Sequence, residues 1–261
     1  MTDSQRLKFL RRLVELTENN IELNFDGIFK LGLNDPDPEV RSQAIEGLWE
    51  NEEISLITPL LKLLSNDTSD KVRAIAAIAL GRFVLLGEHG KLHIHHVDRI
   101  REVLLPIIGD SHISEEVRRR ALEAISPLSI PEVKSEISAA YNNQNPRLKI
   151  SSLYAMGRNC DPDWIPILLI ELSNTDPEMR FEAATALGEL GDESVVLHLI
   201  NIGSDSDTEV RLAVIQALAK IGGIKAKDFL QNLLSSRDPA VRDIARQSLE
   251  ELRANENPLS L

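Results

Sequence analysis

The chain has 261 residues, of which 43% are hydrophobic and only 4% aromatic, with Leu, Ile and Ala recurring throughout. That length can bury a sizeable core, and that composition favours closely packed helices over a β-sandwich. The formal net charge of −12 excludes broad, sequence-independent attraction to nucleic acid or to an anionic membrane surface, because both depend on an excess of Lys and Arg.

The first predicted element is residues 1–20, beginning MTDSQRLKFLRRLVEL, a helix with charges set among its apolar residues and suited to capping the first of a row of helices. From residue 21 to 253 the chain is periodic. An apolar residue followed by a basic one recurs at Val40, Val72, Val117, Leu148, Met179, Val210 and Val241; the first two are 32 apart, the last five 31 apart, and Val72 to Val117 is 45. Self-similarity at such a period marks a solenoid.

Each anchor opens a helix. Three residues before it stand Asp37, Ser69, Ser114, Asn145, Asp176, Asp207 and Asp238, all able to accept from a free N–H of a first helical turn. Pro38, Pro146, Pro177 and Pro239 follow four of them, at the position where a missing N–H costs nothing. The residue seven after the anchor is always small (Gly47, Ala79, Ala124, Ala155, Ala186, Ala217, Ser248), and the next is always large and apolar (Leu48, Leu80, Ile125, Met156, Leu187, Leu218, Leu249). Small residues let neighbouring helices approach and large ones fill the space between them. Second apolar segments such as WIPILLIELSN, SVVLHLINIGS and AKDFLQNLLSS lie between the anchor helices, so each repeat is a helical hairpin whose core is completed by its neighbours. The long interval implies an insertion near 83–105, and residues 254–261 read as a polar tail.

The strings DPEMRFEAATALG and, loosely, DTEVRLAVIQALA resemble the short HEAT repeats named after phycobilisome lyases. The resemblance covers roughly residues 21–253 and implies one right-handed, all-α solenoid spanning 1–261, with about seven hairpins behind the capping helix. It also implies that the basic residue after each anchor bonds to the turns between repeats, where Asp and Asn are plentiful. On that reading Arg41, Arg73, Arg118, Lys149, Arg180, Arg211 and Arg242 are structural and do not form a phosphate-binding ladder.

The residues two, three and six after each anchor are expected to face outward, and in similar proteins this side lines the concave surface. Ile78, Ile150, Tyr154, Phe181 and Leu212 stand there, with Arg119, Arg120 and Arg158 among them. Apolar and aromatic anchors beside arginines have the composition of a binding hot spot, here for another protein with an acidic or phosphorylated segment.

Five of the six histidines fall between 89 and 112, and His89, His93 and His96 are candidate metal ligands. No His-Glu-x-x-His string accompanies them, and adjacent His95 and His96 cannot both face one ion on a helix. No metal and no other cofactor is expected. Cys160 is the only cysteine, which excludes an internal disulfide.

No catalytic residue is identified. Deoxyhypusine hydroxylase, a relative of this fold, holds iron with His-Glu pairs at the second and third positions; here those positions read Ser42-Gln43, Ala74-Ile75, Arg119-Arg120, Ile150-Ser151, Phe181-Glu182, Leu212-Ala213 and Asp243-Ile244. The leading expectation is a non-enzymatic, cytoplasmic, monomeric scaffold. A bilin-lyase-like or chaperone-type subunit acting on a protein-bound cofactor is the alternative, and a nucleic-acid-processing protein of this fold a weaker one.

Overall fold

The computed structural model describes residues 1–20 and 23–256, and among them it contains fifteen α-helices and no strand. The fold is all-α, a solenoid of helical hairpins, as the periodicity predicts. It divides into two compact units, Met1–Glu136 and Ile137–Leu261. No helix among the described residues is long and apolar enough to cross a membrane.

In the first unit, α1 (Asp3–Asn19), α3 (Pro38–Gly47), α5 (Asp70–Glu88) and α7 (Glu115–Ile125) pack side by side in succession. The helices α2 (Asp26–Gly32), α4 (Ile57–Asn66) and α6 (Ile94–Gly109) cover α3, α5 and α7, and α8 (Pro131–Tyr141) comes next in the chain. In the second unit the anchor helices are α9 (Pro146–Asn159), α11 (Pro177–Leu190), α13 (Thr208–Ile221) and α15 (Pro239–Glu256). Their partners α10 (Ile165–Glu171), α12 (Val196–Asn201) and α14 (Ile224–Leu233) lie against α11, α13 and α15. The helix α15 runs to Glu256, past the predicted start of the polar tail at 254, and the rest of that tail lies outside the described residues.

The caps fall where the sequence places them. Asp37, Ser69, Asn145, Asp176 and Asp207 accept from first-turn N–H groups of their helices, and Asp238 accepts from the Ala240 N–H at 3.0 Å. Ser114 is the exception: it occupies the cap position of α7, but its buried hydroxyl accepts no first-turn N–H and has no partner among the described residues. Seven of seven anchors and seven of seven large residues are buried, so the repeat signature is the core. Burying each such side chain stabilises the fold by about 1.5–3 kcal/mol.

The small row has a specific counterpart. Nine residues after their anchors, Gly81, Gly157 and Gly188 face the small residues Ala124, Ala186 and Ala217 of the next anchor helix, so closely that an added Cβ would stand 3.0, 2.7 and 2.7 Å from the alanine Cα. Glycine and alanine together set the distance between successive anchor helices.

The insertion is not a loop. Its residues lengthen the helices on both sides, giving α5 19 residues and α6 16, and only the turn at 89–93 separates them. Phe83, Val84, Val97, Ile100 and Leu104 are buried along these extensions, so the added helix carries its own apolar face and packs.

Candidate protein-binding face

The basic row is consumed by the architecture. Arg41 donates from Nε and Nη2 to the two carboxylate oxygens of Asp67, both at 2.7 Å, and from Nη1 to the carbonyls of Asp35 and Pro36. Arg180 repeats the pattern with Asp205, both at 2.8 Å, and with the carbonyls of Asn174 and Thr175. Arg211 reaches Asp238 at 2.9 Å, while Arg73, Arg118 and Arg242 donate to the carbonyls of Leu64, Ile108 and Ser236. The acceptors Asp67 and Asp205 also receive the N–H of the cap residue two positions on, so each ties its own turn to the preceding anchor helix.

Two participants escape the sequence pattern. The capping helix α1 has the same construction as the repeats: Thr2 caps it, and Arg6, four residues on, donates to both oxygens of Asp35 at 2.7 and 2.8 Å. It lacks the apolar anchor, since Gln5 stands there, and so falls outside a pattern keyed on Val-Arg. In the second unit, Lys149 replaces arginine and pairs with Glu171 at 3.1 Å. Glu171, only 3% exposed, also accepts from the Tyr141 hydroxyl and the Asn174 amide. Burial opposes the Glu171 charge, yet these three donors hold its carboxyl below the usual range, while burial and the nearby carboxylate push Tyr141 up to about 12. Every polar group of this cluster is satisfied, which makes it a structural rung.

The predicted outward rows divide. At the second position Ser42, Ala74 and Ile150 are buried, Ile150 to 6% exposure, which corrects its assignment to a binding surface: these helix positions turn toward the neighbouring helix. Leu212 is half-buried against Ile215, Leu230, Val241 and Ala245, at the edge of the terminal core. Phe181 is likewise half-buried. At the sixth position Glu46, Tyr154, Gln216 and Gln247 are exposed and Ile78 half-buried, so this row carries the accessible surface.

The arginines divide as well. Arg119 is bound to Glu116 at 3.0 Å, and Arg120 to Glu116 at 2.8 Å and Glu123 at 2.7 Å, all on α7. These two cations are neutralised within their own helix and are not displayed for an acidic segment. Arg158, near the end of α9, is half-buried and makes no ion pair among the described residues. In the second unit the exposed candidate is therefore Tyr154, at 40%, while Phe181 on the next anchor helix and Arg158 one turn along α9 are half-buried.

The histidines do not converge. Among the described residues no group of three or more His, Cys, Asp or Glu side chains could hold a metal ion. His93 caps α6, its Nδ1 accepting from the His95 N–H at 3.2 Å; His89 ends α5; and His96 packs beside His95 with ring centroids 5.6 Å apart. Cys160 ends α9 in the left-handed region at φ 53°, the position that Gly191 occupies after α11, and burial pushes its thiol up.

A profile of HEAT repeats matches residues 26–92 and 165–250. The chain is similar in fold to the crystal structure of Escherichia coli YibA, with 16% identity over 97% of this chain and 98% of that one and a TM-score of 0.52. An engineered protein matches with 22% identity over 76% of this chain and 96% of its own, at a TM-score of 0.48. Human deoxyhypusine hydroxylase in complex with glycerol matches with 16% identity over 97% and 91%, at 0.43. No curated protein matches the chain.

Proposed function

The chain belongs to the HEAT-repeat family, and from that premise we propose that it is a non-enzymatic scaffold that holds another protein against its anchor helices. The observation that carries this reading is Tyr154. The packing rules of the repeat place its neighbours Leu153 and Ala155 in the core and ask nothing of the sixth position, yet a tyrosine stands there, 40% exposed. Phe181, half-buried on the neighbouring anchor helix α11, is a second aromatic that this reading assigns to the same face. Aromatic side chains of this kind bring large contact area at low entropic cost and dominate binding energies.

The partner that fits is a protein segment with apolar or aromatic side chains, since Arg119 and Arg120 are already held by Glu116 and Glu123. Nucleic acid fits poorly for the same reason. The test is affinity capture with the parent chain and with Tyr154→Ala and Phe181→Ala made singly. A partner held by the parent and lost from Tyr154→Ala, with the melting temperature within about 2 °C, supports the proposal. Retention of every partner by both variants, or a fall of about 8 °C or more for Tyr154→Ala, overturns it.

A further inference from the structure

The repeat has a rule at the ninth position after the anchor. Gly81, Gly157 and Gly188 occupy it where the next helix must come closest, and Ser126 and Ala219 are also small. In the first repeat that position is Trp49. The helix α3 ends at Gly47 after 10 residues, against 14 for α9, α11 and α13, so the indole does not enter the contact that glycine makes elsewhere. Trp49 is left 56% exposed in the turn after α3.

That turn is rebuilt as a rigid platform. Arg82 of α5 donates from Nη2 to the carbonyls of Leu48 and Asn51 at 3.1 and 3.0 Å, and its guanidinium carbon lies 5.5 Å from the Trp49 ring centre. The Asn51 side chain is bound to Asp26 at 2.6 Å and accepts from the Glu53 N–H at 2.8 Å. Glu53 is neutralised by Lys30 at 2.6 Å. Glu50 and Glu52 flank Trp49 and are exposed; both lie near enough to Arg82 to favour its charge, yet their two negative charges exceed its one. A fixed indole rimmed by two such carboxylates complements a cation whose planar face can stack on the ring while its N–H groups pair with a carboxylate.

We propose that Trp49, Glu50 and Glu52 form a docking surface for an arginine-bearing segment of a partner protein. An arginine of that segment stacks on the indole and pairs with Glu50 or Glu52, and the platform loses little conformational freedom on binding because Arg82 and Asn51 already hold it. Phosphates would meet carboxylates here, so nucleic acid is excluded as the occupant. The surface lies in the first unit and is independent of the Tyr154 face.

The test uses the full chain and a fluorescently labelled short peptide of alternating Arg, Leu and Ala, followed by anisotropy at near-physiological salt, with a glutamate-substituted peptide as control. Binding should weaken about tenfold in Trp49→Ala and again about tenfold in the pair Glu50→Gln and Glu52→Gln, and remain unchanged in Tyr154→Ala. Bound peptide should also shield tryptophan emission from acrylamide, since Trp164 is buried and Trp49 is the accessible indole. Absence of binding to the parent chain overturns the proposal. So does loss only in the glutamine pair, which marks non-specific attraction, or loss only in Trp49→Ala, which removes the need for a cation. A concentration-dependent dimer dissolved by Trp49→Ala assigns the face to a second copy of the chain and likewise overturns it.

Discussion

At the residue scale, one carboxylate does two things in the rungs of Arg6, Arg41 and Arg180. Asp205 accepts two hydrogen bonds from Arg180 and one from the Asp207 N–H, so helix α11, the turn and the start of α13 are fixed by one side chain. Arg180, first among the causes, holds the Asp205 carboxyl below the usual range. A carboxyl lowered on folding adds stability above its unfolded pKa, about 3.9, that is lost as pH falls through the folded value. Asp205→Asn should therefore cost about 2–3 kcal/mol at neutral pH, and thermal melts of parent and variant should converge as pH falls through the lowered Asp205 value. A gap that stays constant with pH would place the effect elsewhere. This ladder was half legible: the basic residues and caps announce themselves at fixed spacing, but Arg6 joins it, through Asp35, from a helix with no anchor. Glu171 joins from inside α10, where no repeat position predicts an acceptor.

At the element scale, anchor helices are held apart by a glycine on one and an alanine on the next. Gly188→Ala would put a Cβ 2.7 Å from the Ala217 Cα, inside a helix where neither backbone can move without disturbing its hairpin. The variant should lose about 1–3 kcal/mol, read as a lowered urea midpoint at unchanged slope, although alanine is intrinsically the better helix former by nearly 1 kcal/mol. A gain in stability would show that the helices part freely. The same scale explains the insertion. A helix long enough to bury Phe83, Val97 and Leu104 packs as well as a short one, so extra residues in the third hairpin of the first unit extend α5 and α6. The spacing of 45 announces the extra length but not its conformation, since a histidine-rich, glycine-containing stretch suits a loop equally well.

At the scale of the whole molecule, successive anchor helices within each unit pack on one another, so damage should stay local. Leu218→Ala empties a fully buried site in α13 and should cost about 2–5 kcal/mol. Hydrogen exchange should show lost protection in α11, α12, α13, α14 and α15, which include every helix packed on α13 in that unit, with α1, α3 and α5 unchanged. Uniform loss would mean one indivisible folding unit. The sequence by itself determined the period, the caps, the proline starts and the buried rows, because helix geometry converts spacing along one chain directly into a face. Only the tertiary structure decided which side chains meet solvent. Ile150 vanished against a neighbouring helix, Arg119 and Arg120 were taken by Glu116 and Glu123, and Trp49 stayed out in the turn after α3. Exposure depends on how near the adjacent helix comes, and that distance is set by residues some thirty positions away.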